Sequence, residues 1–342
     1  MARILYGVSP IGFGHASRAA AVGLKLRESS LEPEFATGGP AVDFLRSYGF
    51  TVHDVVSEPV PSERDGEMKS ATTWYLRYWM GYRSTRRRMT KLLRSSRPDL
   101  VVGDEEFSCV SLAIEEGIEQ VLIADELNLG FARGAVSRRV EKRVGEWYSG
   151  LQRRVAYLLV PSFGNDKGNM HYVTPIVRSV NRSREEVRKE LSVPEAARVV
   201  LFSLSGSGIG SFLFKRTLES FLKVRFGDDV LLVAGKIGIS PLAGVRELGV
   251  VRDNQDLVSA SDLVISTAGK STIDEAASSG TPIIAIPIRN HAEQERNASE
   301  LGFGPGDIDR MEGLIRDHLG RRAEPRNYQG AAKTAELLGS LL

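Results

Sequence analysis

Short apolar runs rich in valine, isoleucine and leucine recur along the chain, separated by segments long enough to form a helix. These runs cover residues 4–8, 100–102, 120–123, 157–160, 199–204, 230–233, 263–266 and 282–286. Strands that are apolar along their whole length are typical of parallel sheets with helices on both faces. The pattern therefore predicts an α/β protein with doubly wound parallel sheets.

The pattern also starts a second time. Residues 3–14 and residues 198–210 both read as a strand, a glycine-rich turn and the start of a helix. A chain of 342 residues is long enough for two domains. The polar segment 179–197 is the best candidate for the connection between them. We therefore expect two Rossmann-like domains that face one another, over residues 1–180 and 181–342.

The composition argues against several classes of protein. Charged residues make up 26% and hydrophobic residues 42% of the chain, as in ordinary soluble globular proteins. Neither a membrane-spanning apolar run nor the apolar core of a signal peptide is present, which predicts a cytoplasmic protein. The single cysteine, Cys109, excludes an internal disulfide and a cysteine-based metal site. A net charge of +2 argues against nucleic acid as a partner.

Two glycine loops lie between a strand and a helix. The first contains Gly12, Gly14 and His15. The second contains Ser205, Gly206, Ser207 and Gly208. Backbone N–H groups at the start of a helix suit a phosphate or a carboxylate. Neither loop completes the dinucleotide fingerprint or the P-loop, so a nicotinamide, a flavin or P-loop nucleotide hydrolysis is not expected. A tight turn without a ligand remains the alternative.

Residues 266–302 form the most informative stretch. They read as a strand ending in a small-residue turn, a helix carrying Thr272 and Glu275, a buried strand over 282–286, and a second helix opening near His291. Both helix starts fall at the carboxyl ends of strands. Ligands of open α/β sheets bind at that edge.

This stretch resembles the donor-binding motif of the GT-B glycosyltransferases, especially family 28 and the UDP-glycosyltransferases. The matching positions, in chain order, are Gly269, Ser271, Thr272, Glu275, Ala276, Gly280, Pro282, Pro287, Gln294, Asn297 and Ala298. The resemblance implies the GT-B fold, with two Rossmann-like domains facing a central cleft. It implies an acceptor-binding domain over 1–180, a donor-binding domain over 181–342, and a terminal helix over 328–342 that packs back on the first domain.

The resemblance also implies the donor contacts. Glu275 would accept hydrogen bonds from the ribose hydroxyls of a UDP-sugar, a task suited to a carboxylate. The diphosphate would be bound by Gly269, Lys270, Ser271 and Thr272 together with the loop Ser205 to Gly208. The sugar would contact His291, Glu293 and Gln294. The uracil would contact the backbone near Val251. Lys270 would add a positive charge beside the diphosphate.

On the acceptor side, His15 matches the histidine that follows the first glycine loop in the family. It would take the proton from the acceptor hydroxyl. Gly12 and Gly14 precede this position, and Asp104 and Glu105 follow a strand at the same edge, within reach of the acceptor. Paired carboxylates also suit a magnesium ion, but acidic residues equally often charge a helix start, and we favour a site without a metal.

The resemblance therefore predicts an inverting, metal-independent transferase without a cofactor. It would move a hexose or N-acetylhexosamine from a UDP-sugar to a hydroxyl acceptor, either lipid-linked or a glycan. Two alternatives stay open. One is a nucleotide-sugar epimerase of the same fold, and the other is a non-catalytic sugar-nucleotide-binding subunit of a two-chain transferase.

The segment 74–97 combines aromatic and basic residues at helical spacing. Between Glu67 and Arg97 there are nine basic residues and one acidic residue. A helix of this kind can rest among lipid headgroups, line an acceptor groove, or pack on its own domain with a solvated basic face. If it binds lipid, the protein is peripheral at the inner face of the cell membrane.

Overall fold

Each of the eight apolar runs forms a strand, as predicted, in the computed structural model of the protein. The structure describes residues 2–60, 63–68, 71–125, 135–204 and 210–342. Its strands are β1 (Ile4–Val8), β2 (Pro33–Thr37), β3 (Val52–Asp54), β4 (Glu63–Arg64), β5 (Glu67–Met68), β6 (Leu100–Asp104), β7 (Glu119–Ile123), β8 (Tyr157–Val160), β9 (Met170–Tyr172), β10 (Val199–Ser203), β11 (Val230–Ala234), β12 (Val245–Gly249), β13 (Leu263–Ser266) and β14 (Ile283–Ala285).

Helices fill the intervals between most of these strands. They are α1 (Gly14–Glu28), α2 (Pro40–Arg46), α3 (Ala71–Ser96), α4 (Phe107–Glu116), α5 (Ala135–Gln152), α6 (Arg184–Glu190), α7 (Ser211–Val224), α8 (Asn254–Ala260), α9 (Lys270–Ser279), α10 (Ala292–Glu300), α11 (Met311–His318) and α12 (Gly330–Ser340), with a 3₁₀ helix over Pro305–Arg310. In the described parts of the chain, none of these helices has both the length and the apolar character needed to cross a bilayer.

The chain divides into two units. Unit 1 comprises Met1–Pro61, Ser70–Arg178 and Tyr328–Leu342, and unit 2 comprises Ser62–Lys69 and Ser179–Asn327. The terminal helix α12 thus belongs to unit 1, where it packs against α1. The hairpin formed by β4 and β5 belongs to unit 2, although unit 1 contains the chain on either side of it.

Unit 1 is built on a seven-stranded parallel sheet in the order β3-β2-β1-β6-β7-β8-β9. One face, which presents Tyr6, is covered by α1, α2 and α12. The other face, which presents Leu5, is covered by α3, α4 and α5. Cys109 is buried in the second cluster, as expected of a small apolar side chain. Burial on both faces explains why the central strands are apolar throughout.

Unit 2 is built on a five-stranded parallel sheet in the order β12-β11-β10-β13-β14. Helices α7 and α11 cover one face, around Phe202. Helices α6, α8 and α9 cover the other face, around Leu201. Both units therefore have the doubly wound arrangement that the repeated strand pattern predicts.

The segment 179–197 is not a free connection between the domains. It lies in unit 2 and contains α6, whose start is fixed by a capping box between Ser183 and Glu186. The side chain of Val187, on this short helix, is buried in the core. A single buried residue on a helix of two turns leaves the composition polar, which is why the sequence reads as a linker.

Candidate active site

The carboxyl edge of the sheet in unit 1 has its switch point between β1 and β6, where the chain leaves the two neighbouring strands in opposite directions. Such a switch point is where open α/β sheets bind ligands. The loop after β1 turns at Gly12, whose φ of +69° favours glycine, and Gly14 is the first residue of α1. Asp104 ends β6 on the neighbouring strand. The fold thus brings the predicted acceptor-side residues to one edge.

His15 and Asp104 form a hydrogen-bonded pair at this edge. His15 Nδ1 lies 3.0 Å from Asp104 Oδ1. Asp104 is fully buried and also accepts two hydrogen bonds from Arg18 Nε, at 2.9 and 3.1 Å. Burial would raise the pKa of Asp104, but the Arg18 charge and the bonds from His15 and Arg18 lower it below its usual value. An ionised Asp104 holds the proton of a neutral His15 on Nδ1 and leaves Nε2 to act as a base.

Glu105 faces the other ring nitrogen of His15. Its Oε2 lies 3.5 Å from His15 Nε2, and its Oε1 accepts the backbone N–H of Asp125 at 3.3 Å. The backbone of Glu105 is left-handed, with a φ of +48°. Burial would lower the pKa of His15, but the charge of Glu105 and the bond to Asp104 outweigh it and raise the pKa to about 9. Two carboxylates therefore favour the imidazolium.

Sequence reasoning missed two members of this site. Arg18 lies one turn after His15 on α1 and bonds Asp104, so its helical spacing was an available signal. Glu58 lies in the loop after β3 and accepts a hydrogen bond from Ser9 Oγ at 2.8 Å. Burial, reinforced by the charge of Glu106, raises the pKa of Glu58 to about 8. The Glu58 carboxyl is then mainly protonated at neutral pH, and no local pattern marks it.

The carboxyl edge of the sheet in unit 2 has its switch point between β10 and β13. Helices α7, α9 and α10 begin there with Gly210, Gly269 and His291 as N-caps. The predicted loop residues Ser205, Gly206, Ser207 and Gly208 lie outside the described part of the chain. Val251 is partly buried in the loop between β12 and α8. The helix starts at this edge point their positive dipole ends to one region.

The first turns of α9 carry the predicted nucleotide contacts. Ser271 and Thr272 are partly exposed in the first turn, and Glu275 follows one turn later with 5% of its surface exposed. Lys270 does not present an uncompensated charge, because its Nζ lies 2.5 and 2.6 Å from the two carboxylate oxygens of Asp274. The charge expected beside the diphosphate is therefore neutralised by a neighbour on the same helix.

The start of α10 carries the predicted sugar contacts. His291 caps the helix through Nδ1, which accepts the backbone N–H of Gln294 at 3.4 Å. Burial lowers the pKa of His291 to about 4, so the ring is neutral and has its proton on Nε2. The Gln294 side chain accepts the backbone N–H of Ile288 at 3.1 Å. Glu293 lies in the first turn between them.

Metal ligation has no geometric support where the structure describes the chain. Among those residues, no group of three or more histidine, cysteine, aspartate or glutamate side chains is arranged to hold an ion. The chemistry that the described side chains offer is a histidine base oriented by a carboxylate in unit 1, and helix N-termini with hydroxyl and carboxylate groups in unit 2.

Comparison with known proteins agrees with this organisation. Residues 244–303 match the glycosyltransferase family 28 C-terminal domain. An uncharacterized glycosyltransferase of Methanosarcina acetivorans is 26% identical over 327 residues, covering 88% of this chain and 84% of the relative. A UDP-N-acetylglucosamine–N-acetylmuramyl-(pentapeptide) pyrophosphoryl-undecaprenol N-acetylglucosamine transferase of Christiangramia forsetii is 25% identical over 246 residues, covering 69% of this chain and 64% of the relative.

Solved structures show the same fold. The glycotransferase of kitacinnamycin superposes with a TM-score of 0.67 over 99% of both chains, at 15% sequence identity. The architecture is therefore that of a GT-B protein with two Rossmann-like halves, which confirms the predicted fold class. Together with the domain match and the curated relatives, it supports a GT-B glycosyltransferase that resembles family 28.

Proposed function

We propose that this chain transfers a hexose or N-acetylhexosamine from a UDP-sugar to a hydroxyl acceptor, with inversion and without a metal. One observation carries the proposal. The His15 imidazole is held through Nδ1 by the buried Asp104 carboxylate, 3.0 Å away, at the switch point of unit 1. This arrangement leaves His15 Nε2 to accept the proton of an alcohol.

The reaction is a single displacement. As His15 Nε2 takes the acceptor proton, the acceptor oxygen forms a bond to the anomeric carbon of the sugar. The bond from that carbon to the diphosphate oxygen breaks, and UDP leaves with the electron pair. Asp104 stabilises the imidazolium that forms. Attack opposite the leaving group inverts the anomeric configuration, and no covalent intermediate on the enzyme is needed.

Unit 2 would hold the leaving group. Backbone N–H groups at the start of α9 and the hydroxyls of Ser271 and Thr272 suit the negative charge that develops on the diphosphate. Glu275, buried one turn later, suits the ribose hydroxyls. The choice of UDP is supported by the relative from Christiangramia forsetii, whose name specifies a UDP-N-acetylglucosamine donor.

A lipid-linked acceptor is the acceptor class we favour. The same relative is named for a pyrophosphoryl-undecaprenol acceptor. In this chain α3 exposes Leu76, Trp79 and Met80, and the guanidinium of Arg83 lies 5.3 Å from the Trp79 ring centroid. Apolar side chains beside cationic ones suit the headgroup region of an anionic membrane. We propose that this surface docks unit 1 on the membrane that contains the acceptor.

The test is transfer from labelled UDP-sugars to a lipid extract in the presence of EDTA. We expect labelled lipid and an equal amount of released UDP, with inverted anomeric configuration by NMR. His15→Ala should slow transfer about 1,000-fold. A new UDP-sugar formed without an acceptor would instead indicate an epimerase. Donor binding without turnover, restored by a co-purifying chain, would indicate a binding subunit.

A further inference from the structure

The hairpin formed by β4 and β5 lies at the predicted donor edge of unit 2, although the sequence encodes it between β3 and α3 of unit 1. Its turn consists of Asp65 and Gly66, with φ values of +54° and +74°. Two positive φ values are typical of the tight turns that join antiparallel strands. The feature is too short to show as a strand pattern, and the function proposed above does not use it.

One anchor of the hairpin is the start of α7. A Cβ atom on Gly66 would lie 2.8 Å from the Phe212 ring, so the turn packs on that ring without room for a side chain. Glu63 Oε1 accepts the backbone N–H of Gly66 at 2.7 Å, and Glu63 Oε2 accepts that of Gly210 at 3.3 Å. The turn is thereby fixed to the first residues of α7.

The other anchor is the segment between β14 and α10. Glu67 pairs with Arg289 in a parallel bridge. Met68 donates its backbone N–H to the Arg289 carbonyl at 3.0 Å, and Arg289 donates its own to the Gly66 carbonyl at 2.8 Å. The hairpin therefore extends the backbone hydrogen bonding of this segment.

Glu67 also holds a side chain of the same segment. Its Oε1 accepts a hydrogen bond from Asn290 Nδ2 at 2.7 Å. The backbone of Asn290 is left-handed, with a φ of +65°, and its N–H bonds Glu295 Oε1 at 2.8 Å. A non-glycine residue in this conformation persists when its surroundings fix it, and here Glu67 bonds the side chain of Asn290 and Glu295 bonds its backbone.

Asn290 directly precedes His291, the N-cap of α10. The proposed function, on which this inference rests, assigns the sugar of the donor to His291, Glu293 and Gln294. We propose that Glu67 is a positioning residue for this sugar-binding segment. It sets the affinity for the hexose of the donor and has little influence on the affinity for the nucleotide, whose proposed contacts lie on α9, in the loop Ser205 to Gly208 and near Val251.

Calorimetry with UDP and UDP-N-acetylglucosamine as probes tests this separation. Glu67→Ala removes the acceptor of the Asn290 bond, and we expect about tenfold weaker binding of UDP-N-acetylglucosamine, as for the loss of a bond to a charged group. Binding of UDP should change less than about twofold. Glu67→Gln retains an acceptor oxygen and should recover most of the loss. Asp65→Asn is the matched control, since it removes a charge from a side chain that is 88% exposed on the same hairpin.

A second measurement does not depend on the donor. In the ligand-free protein, hydrogen exchange of a peptide covering residues 286–296 should be faster in Glu67→Ala than in wild type and unchanged in Asp65→Asn. Gly66→Ala, which clashes with Phe212, should also accelerate it. Faster exchange in these two variants, together with selectively weaker binding of UDP-N-acetylglucosamine by Glu67→Ala, supports the proposal.

Three outcomes would overturn it. Unchanged exchange in Glu67→Ala shows that Glu67 does not hold the segment. Equal losses for UDP and UDP-N-acetylglucosamine show that the hairpin supports the whole donor half and not the sugar. A wild-type protein that binds neither probe overturns the proposed donor and with it the sugar role, while the exchange result still decides whether Glu67 fixes the segment.

Discussion

His15 and Asp104 are 89 positions apart in the sequence, and their side chains meet at 3.0 Å between Nδ1 and Oδ1. The contact exists because β1 and β6 are neighbours in the sheet, with Val8 opposite Asp104. A buried carboxylate on one ring nitrogen orients the imidazole and fixes its tautomer. The pair therefore has the geometry of a general base with its orienting group.

Replacement of either member of this pair should remove catalysis and leave donor binding intact. For His15→Ala we expect kcat to fall about 1,000-fold, in the range of a lost general base. Asp104→Asn should lower kcat by a similar order and, because it leaves the buried Arg18 guanidinium without the Asp104 charge, should lower the free energy of unfolding by about 3 kcal/mol. Steady-state kinetics, UDP calorimetry and urea denaturation measure these three quantities.

A matched control for this prediction is available in the same unit. His53 Nε2 lies 2.8 Å from Glu34 Oε2, in a pair on β3 and β2. His53→Gln should leave kcat within about twofold, because this partly exposed pair contributes little and lies outside the candidate site. A loss in His53→Gln as large as that in His15→Ala would contradict a specific role for His15.

Activity should depend on pH through His15. The His15 pKa of about 9 means that a neutral base is scarce at pH 7, so kcat/KM should rise about tenfold per pH unit and level off near pH 9. The folded pKa lies above the unperturbed 6.5, so this group stabilises the fold fully below pH 6.5, and the contribution is lost as the pH rises through 9. A pH–rate profile and urea denaturation across this range check both statements.

The variant Glu105→Gln isolates the cause of that shift. The Glu105 carboxylate is 3.5 Å from His15 Nε2, while Asp104 bonds Nδ1 on the opposite side of the ring, the Arg18 guanidinium lies beside it, and Glu58 is mainly neutral at pH 7. Removal of the Glu105 charge should lower the His15 pKa and move the pH–rate profile to lower pH. NMR titration of the His15 ring in the ligand-free protein measures the pKa directly. An unchanged titration would show that Glu105 does not set it.

Lys270 and Asp274 should have opposite effects on donor binding. Their side chains are paired at 2.5 Å, which neutralises the lysine in the ligand-free protein. Lys270→Ala should weaken UDP binding, and Asp274→Asn should strengthen it by releasing the lysine for the diphosphate. Each effect should be at most about fivefold, the range of a partly exposed ion pair, and should shrink as salt is added. Effects of the same sign would argue against a diphosphate beside Lys270.

Glu275 should accept hydrogen bonds from the ribose hydroxyls of UDP. Glu275→Ala should weaken UDP binding by about 2 kcal/mol, or about thirtyfold in Kd. An analogue without the 2′ and 3′ hydroxyls should bind wild type and variant equally, because the bond it would lose is already absent. Glu300→Ala, on the exposed side of α10, is the control and should bind UDP like wild type. Equal losses for UDP and the analogue would place Glu275 away from the ribose.

The central strands of both sheets could be predicted from sequence because burial on two faces makes them apolar without interruption. The strands that escaped this pattern carry polar residues. β2 begins with Pro33 and contains Glu34, and β12 and β3 lie at sheet edges and carry charged residues, such as Arg246 and Asp54. Edge strands need a tertiary neighbour to be recognised, and the sequence alone does not supply it.

The helix starts of the candidate site could be predicted from the sequence, and the side-chain pairings at them could not. The motif at residues 269–298 and the loop at His15 mark helix starts, which local sequence encodes. That Asp104 orients His15, that Asp274 neutralises Lys270 and that Glu67 holds Asn290 are facts of three-dimensional contact. Only the second of these pairs has a helical spacing that a sequence could reveal.

The exposed surface of α3 should bind anionic membranes. Leu76 and Trp79 have 62% and 48% of their surfaces exposed beside the cationic Arg83. The double variant Leu76→Ser, Trp79→Ser should bind vesicles of phosphatidylcholine and phosphatidylglycerol at least about tenfold more weakly, since the apolar area available for insertion is reduced. Wild type should prefer these vesicles to pure phosphatidylcholine, and added salt should reduce the preference. Co-sedimentation measures both effects.

Phe226 provides the control, because its side chain is 82% exposed in unit 2, outside the proposed docking surface. Phe226→Ser should bind vesicles like wild type. If it weakens binding as much as the α3 variant, general surface apolarity and not α3 governs association. If wild type binds neither kind of vesicle, α3 has another role, and transfer to a water-soluble acceptor would then be expected to proceed without lipid.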